Sequence, residues 1–205
     1  MDESNPLLDD LTSHPSYSKM SMVELLLHTE STADGLTALQ LKAKQEERGQ
    51  ESATIPKPTE LPEWMCCMVH CFDQTHDMME YERCVSQHCV VKRSGREWMN
   101  MDVSGLLVGD LIKVNDGYSV PADVRIVHSI GRCTLDPSDV TGAGLYTINE
   151  NEAGNVYQYS PNMAFAGYRC EGGDFTGIVV ATGENTLLGR MIKRGMWPMD
   201  NKNLL

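Results

Sequence analysis

From Cys89 onward the sequence breaks into short apolar runs separated by Gly, Asp, Asn and Pro, and this punctuation limits the fold more than any other feature. The runs Leu106–Val108, Leu111–Val114, Val124–Val127 and Ile178–Ala181 are each too short for a helix, and each is bounded by turn formers. Several short strands at such spacing predict a sandwich or jelly roll. Ser94-Gly95 and Asp116-Gly117 are the clearest turns, because glycine accepts a positive φ without steric penalty. Pro121 suits the start of a strand, where a missing backbone donor is tolerated. Residues 145–162 are polar and unpatterned and are expected to form an exposed loop.

Upstream the pattern is helical. Ser21 with Glu24 and Thr37 with Gln40 have the spacing of capping boxes. Val23, Leu26 and Leu27 form the expected apolar face of the first helix. Leu36 and Leu41 occupy hydrophobic-staple positions around the second, and Gly49 marks its end after Glu46, Glu47 and Arg48. Pro56, Pro58 and Pro62 make the next stretch a linker, and the middle of 64–88 is read as a further helix. The expected organisation is an acidic, disordered leader over 1–20, a helical segment over 21–49 and a linker with a Cys/Met/His-rich connector over 50–88. A β domain over 89–194 and a tail over 195–205 complete it.

The chain has 205 residues, enough for one domain with an appendage, and a formal net charge of -12. That balance repels phosphate backbones, so nucleic acid is excluded as a partner. The apolar stretch Trp64–Phe72 is far shorter than the roughly 20 residues a spanning helix needs, and the opening MDESNPLLDD is no signal peptide. A cytoplasmic protein with reduced thiols is the expectation, since seven cysteines form no regular framework. Cys66, Cys67, His70, Cys71, His76, Cys84, His88 and Cys89 are dense enough to raise zinc, but their spacing contains no pair of C-x2-C knuckles. No metal and no cofactor are expected. Asp110, Asp123 and Asp136 sit at strand edges or turns, where Asp bonds backbone donors.

Residues 106–142, LLVGDLIKVNDGYSVPADVRIVHSIGRCTLDPSDVTG, resemble the actuator domain of P-type cation pumps. The pattern runs from valine-glycine-aspartate through proline-alanine-aspartate to a loop that in the family ends TGES. The likeness continues at Asn162–Gly167 and at Gly177–Gly189, GIVVATGENTLLG. Residues 21–72, with the helix pair and Pro62-Glu63-Trp64, are similar to the N-terminal segment of sodium/potassium and proton/potassium pump α subunits. The resemblance implies an actuator-type β-sandwich, or distorted jelly roll, behind an α-helical N-terminal segment.

In the family the TGES glutamate orients the water that attacks an aspartyl phosphate. Here Thr141 and Gly142 match, while Ala143 and Gly144 replace Glu and Ser. Losing a general base forfeits a factor of about 100 to 10,000 in rate, so the loop Thr141-Gly142-Ala143-Gly144 is expected to be catalytically inert. Tyr118 and Tyr168 also depart from the family pattern. Cys89 comes only 25 positions after Trp64, where the family carries two membrane helices, and the family's DKTGT phosphorylation loop is not found. The implied protein is a truncated, non-enzymatic pump relative. Its expected partner is a full-length P-type ATPase α subunit or its membrane complex, which would hold it at the periphery of the plasma membrane. The alternatives are a partial product of a full sodium/potassium-type pump and a thiol-rich metal-binding module.

Overall fold

The computed structural model describes residues 17–49, 52–58, 71–154 and 156–198; for 71–76 it describes the backbone only. The expectations for 1–16, for Pro62-Glu63-Trp64, for Cys66, Cys67 and His70, and for 199–205 lie outside the described residues.

Helix α1 (Met22–His28) starts as its capping box requires: the Ser21 amide donates to Glu24 Oε2 at 2.8 Å, and the Glu24 amide donates to Ser21 Oγ at 3.3 Å. Its buried face is not the expected one. Leu25 is buried with Met22 and Leu26 partly covered, while Val23 and Leu27 point to solvent. Two overlapping apolar stripes fit the helical period, and only docking on the β domain chooses between them. Helix α2 (Ala38–Arg48) has the same reciprocal cap at Thr37 and Gln40 and ends at Gly49, which has φ 60. It buries none of its own residues and is held by polar ties, among them Arg48 Nη1 donating to the Leu106 carbonyl at 2.7 Å. Helix α3 (Cys71–Cys84) occupies the middle of the Cys/Met/His-rich connector, with Tyr81 donating to the Ile55 carbonyl at 2.6 Å.

Among the described residues seven strands pair antiparallel: β1 (His88–Lys92), β2 (Met99–Asp102), β3 (Leu111–Val114), β4 (Asp123–Asp136), β5 (Tyr146–Thr147), β6 (Met163–Ala164) and β7 (Arg169–Ala181). The order is β2-β1-β3-β7-β4-β5, with β6 also on β4. The chain is therefore mainly β with a helical N-terminal segment. Strands β4 and β7 are long because each is interrupted rather than ended: their register shifts between Ile126 and His128 and between Gly131 and Thr134. Such bulges bend a long strand and let one element span two packed layers. Where they pack most tightly against a side chain, a glycine is required: a Cβ on Gly177 would lie 2.3 Å from Val124 Cγ1.

The core gathers Val124, Ile126 and Leu135 from β4 and Phe175, Ile178 and Val179 from β7. Leu187, Leu188 and Met191 of α5 (Leu187–Lys193), which follows the one-turn α4 (Ser138–Thr141), close it. Phe165 stands 5.5 Å from the Tyr168 ring and 5.2 Å from the Tyr157 ring.

Three expectations need correction. Leu106–Val108 is a turn rather than a strand, because Asp110 Oδ2 accepts the Leu107 amide and Gly109 takes φ 94. Residues 145–162 are not simply an exposed loop. They contain β5 and a 3₁₀ turn at Tyr157–Tyr159, and they bury Ile148, Gln158, Ser160 and Asn162. Tyr17 and Ser18, placed in the leader by composition, are buried, and the Ser18 carbonyl accepts from Asn162 Nδ2 at 2.8 Å. None of the helices among the described residues is long and apolar enough to cross a membrane.

Candidate functional site

The loop singled out from the sequence is built as β4 ends. Asp136 Oδ1 accepts the Ser138 amide at 2.9 Å, which turns the chain into α4. The Pro137 carbonyl then collects the amides of Val140 and Thr141 at 2.9 and 2.8 Å, and the Thr141 hydroxyl at 3.3 Å. Gly142 ends the turn in the left-handed region at φ 70, donating to the Ser138 carbonyl at 3.0 Å. Val140 and Thr141 are buried, so the first half of the loop is part of the domain.

Asp139 anchors that half to α3, to β7 and to Trp197 beyond α5. Its carboxylate pairs with Arg83 of α3 and lies 3.9 Å from Arg169 of β7, while its carbonyl accepts from Trp197 Nε1 at 3.1 Å. Past Gly142 the surroundings empty out. A Cβ added to Gly142 or Gly144 would meet nothing within 4 Å, and Leu145 is 58% exposed. The chain is caught again at Tyr146, whose hydroxyl donates to the Met163 carbonyl at 3.1 Å.

Chemically the tip is bare. From Val140 to Asn149 the sequence contains no carboxylate, and the nearest one before it, Asp139, is committed to arginines. The Ala143 methyl and the Gly144 hydrogen can neither accept a proton nor orient a water molecule.

The three aspartates at strand edges and turns serve separate structural duties. Asp110 is fully buried and receives Arg93 on both oxygens, Nε at 2.6 Å and Nη2 at 2.5 Å, with the Leu107 amide at 2.8 Å. Asp123 accepts the amides of Ala166 at 3.0 Å and Leu187 at 2.8 Å, tying the start of β4 to the β6–β7 connection and to α5. Burial pushes its carboxyl up to about 6, against the pull of those two amides and of Arg190. Asp136 caps the turn already described.

Cys84 and Cys89 are buried, and burial pushes both thiols up to about 12, which keeps them protonated and poor as metal ligands. Among the described residues no three His, Cys, Asp or Glu side chains converge. Of the two aromatic departures, Tyr118 is 63% exposed, whereas Tyr168 is buried with its hydroxyl 3.3 Å from the Gln158 carbonyl. Sequence reasoning missed Arg93, Arg83 and Arg169. Each acts through a partner distant in the chain, and arginine alone gives no signal of pairing.

Comparison with known proteins places this frame. The family model of the P-type ATPase actuator domain matches residues 84–195. The potassium-transporting ATPase alpha chain 1 of Xenopus laevis is 33% identical over 124 residues, 58% of this chain and 12% of that protein. The sodium/potassium-transporting ATPase subunit alpha-2 of Bos taurus and that of Homo sapiens are each 36% identical over 115 residues, 56% of this chain and 11% of theirs. The chain thus spans about an eighth or less of the length of these relatives. A solved zinc-transporting PIB-type ATPase in an E2.Pi state superposes with a TM-score of 0.44 at 19% identity, covering 56% of this chain and 17% of its own.

Proposed function

Because this chain belongs to the P-type ATPase actuator-domain family, we propose that it serves as an actuator-type binding module that takes part in no phosphate hydrolysis and docks on an intact cation pump α subunit. The observation that carries this reading is Ala143. The loop keeps its anchored half, with Thr141 and Gly142 in place, and has a methyl group where the family's water-orienting carboxylate belongs. A frame that keeps its shape without the reacting group can still present a surface. On this reading the protein lies at the cytoplasmic face of the plasma membrane, held there by its pump partner.

The test is co-purification of the tagged chain with a sodium/potassium pump α subunit in mild detergent at native expression levels. Recovery of the pump, undiminished in an Ala143→Ser variant, is the expected result. Repeated recovery of the chain alone would remove the docking role.

A second reading is favoured by the short span of the relatives that the chain matches: it is one part of a longer pump polypeptide, and its role is that of the parent in cation transport. Sequencing the full-length transcript separates the two. A downstream DKTGT coding segment selects the second reading.

A further inference from the structure

Cys133 and Cys170 lie on adjacent strands, β4 and β7, with their sulfurs 3.1 Å apart. That is about 1 Å beyond the ~2.05 Å of a disulfide bond and well inside the reach of a small side-chain rotation. The register explains the proximity. Cys170 is directly opposite Leu135, and Cys133, two residues earlier on the same face, is its diagonal neighbour. The bulge between Gly131 and Thr134 sets two residues of β4, Arg132 and Cys133, against one of β7. Both thiols are buried, at 2% and 0% exposure.

We propose that Cys133 and Cys170 are a paired oxidation site, which a small peroxide converts into an intramolecular disulfide joining β4 to β7. The Cys133 thiolate attacks one oxygen of hydrogen peroxide; the O–O bond breaks, the sulfur becomes a sulfenic acid, and the departing hydroxide takes a proton to become water. The Cys170 thiol then attacks the Cys133 sulfur and passes its proton to the departing oxygen, so that the S–S bond forms as the S–O bond breaks and the second water leaves. The two sulfurs together give up two electrons and the peroxide accepts them.

The assignment of Cys133 as the first nucleophile agrees with the pair's electrostatics. Hydrogen bonding from Cys170 draws the Cys133 thiol below its ordinary value, against the effect of burial and of Asp174 and Asp116, while the Cys170 thiol is raised. The cover over the pair is thin: Arg132 beside Cys133, and Gly131 and Gly172 two positions from the cysteines, are exposed. The bond would tie the two strands a few residues ahead of α4 and so fix the base of the Thr141–Gly144 loop.

Peptide mapping tests this without ambiguity. Trypsin cleavage at Arg132, Arg169 and Arg190 releases peptides 133–169 and 170–190, each with a single cysteine. The full chain is treated with dilute hydrogen peroxide, its remaining thiols are blocked with iodoacetamide, and it is then digested. The expected product is the 133–169 and 170–190 pair joined, lighter by two hydrogens than the sum of the free peptides and separated by dithiothreitol. In Cys170→Ala the first step should stop at a sulfenic acid on Cys133 that dimedone traps. Recovery of the two peptides singly, with alkylated or sulfinic cysteines, at a dose that oxidises the chain's other thiols would overturn the proposal, whether or not the Cys170→Ala variant folds.

Discussion

The two ends of strand β4 are built on opposite principles. At its start the chain is held tightly: Asp123 accepts the amides of Ala166 and Leu187, and Gly177 across the sheet leaves no room for a methyl group. Asp110, a short way earlier in the chain, is locked to Arg93 in the same manner. At its far end the chain passes from the anchored turn at Asp139 into a tip where added side chains would meet empty space. The first end fixes the fold and tolerates little. The second leaves room for side chains to change without disturbing anything beneath it, and it is the loop on which the proposed non-hydrolytic role turns.

If that contrast is right, the largest effect belongs to Arg93→Met. Removing one partner of a buried, fully bonded ion pair strands the other, so a loss of about 3–5 kcal/mol in unfolding free energy is expected by urea titration. An unchanged midpoint would break the contrast at its strongest point.

Asp123 sharpens it through pH. Its carboxyl is raised from 3.8 to about 6 by burial, so the folded chain binds that proton more tightly than the unfolded chain. The contribution to stability is therefore greatest below the unfolded value, falls as pH rises from about 4 to about 6, and is flat above. Compared with Asp123→Asn, which does not titrate, the wild-type advantage should shrink across that window by roughly 3 kcal/mol. Parallel pH profiles for the two proteins would contradict the assignment.

Gly177→Ala comes next. Its new Cβ would lie 2.3 Å from Val124 Cγ1 and 2.7 Å from the Arg125 carbonyl, and overpacking of this kind costs about 1–3 kcal/mol. The smallest effect is expected at the other end. Ala143→Glu places a carboxylate beside open space and should change thermal stability by no more than about 0.5 kcal/mol.

The same contrast explains what could be read from the sequence. The capping boxes of α1 and α2 were legible because both partners of each bond lie three residues apart. The strand-rich character after Cys89 was legible from turn spacing. What the sequence concealed depends on distance along the chain. Arg93 meets Asp110 across 17 positions, Cys133 meets Cys170 across 37, and Asn162 reaches back 144 positions to Ser18. The polar stretch 145–162 looked like a loop because its buried polar members follow no strand or helix period: Ser160 is bonded within the stretch by Gly154 and Asn162, and Asn162 reaches back to Ser18. The run at Leu106–Val108 misled in the other sense: its apolar side chains are buried or half-buried, but an aspartate two residues on fixes it as a turn.

The most direct measurement is the decay of a phosphorylated sodium/potassium-type pump, labelled from γ-phosphate, with and without the purified chain. The absence of a carboxylate at Ala143 predicts the same loss of acyl phosphate in both. Faster loss on adding the wild-type chain would contradict a non-hydrolytic role for this loop.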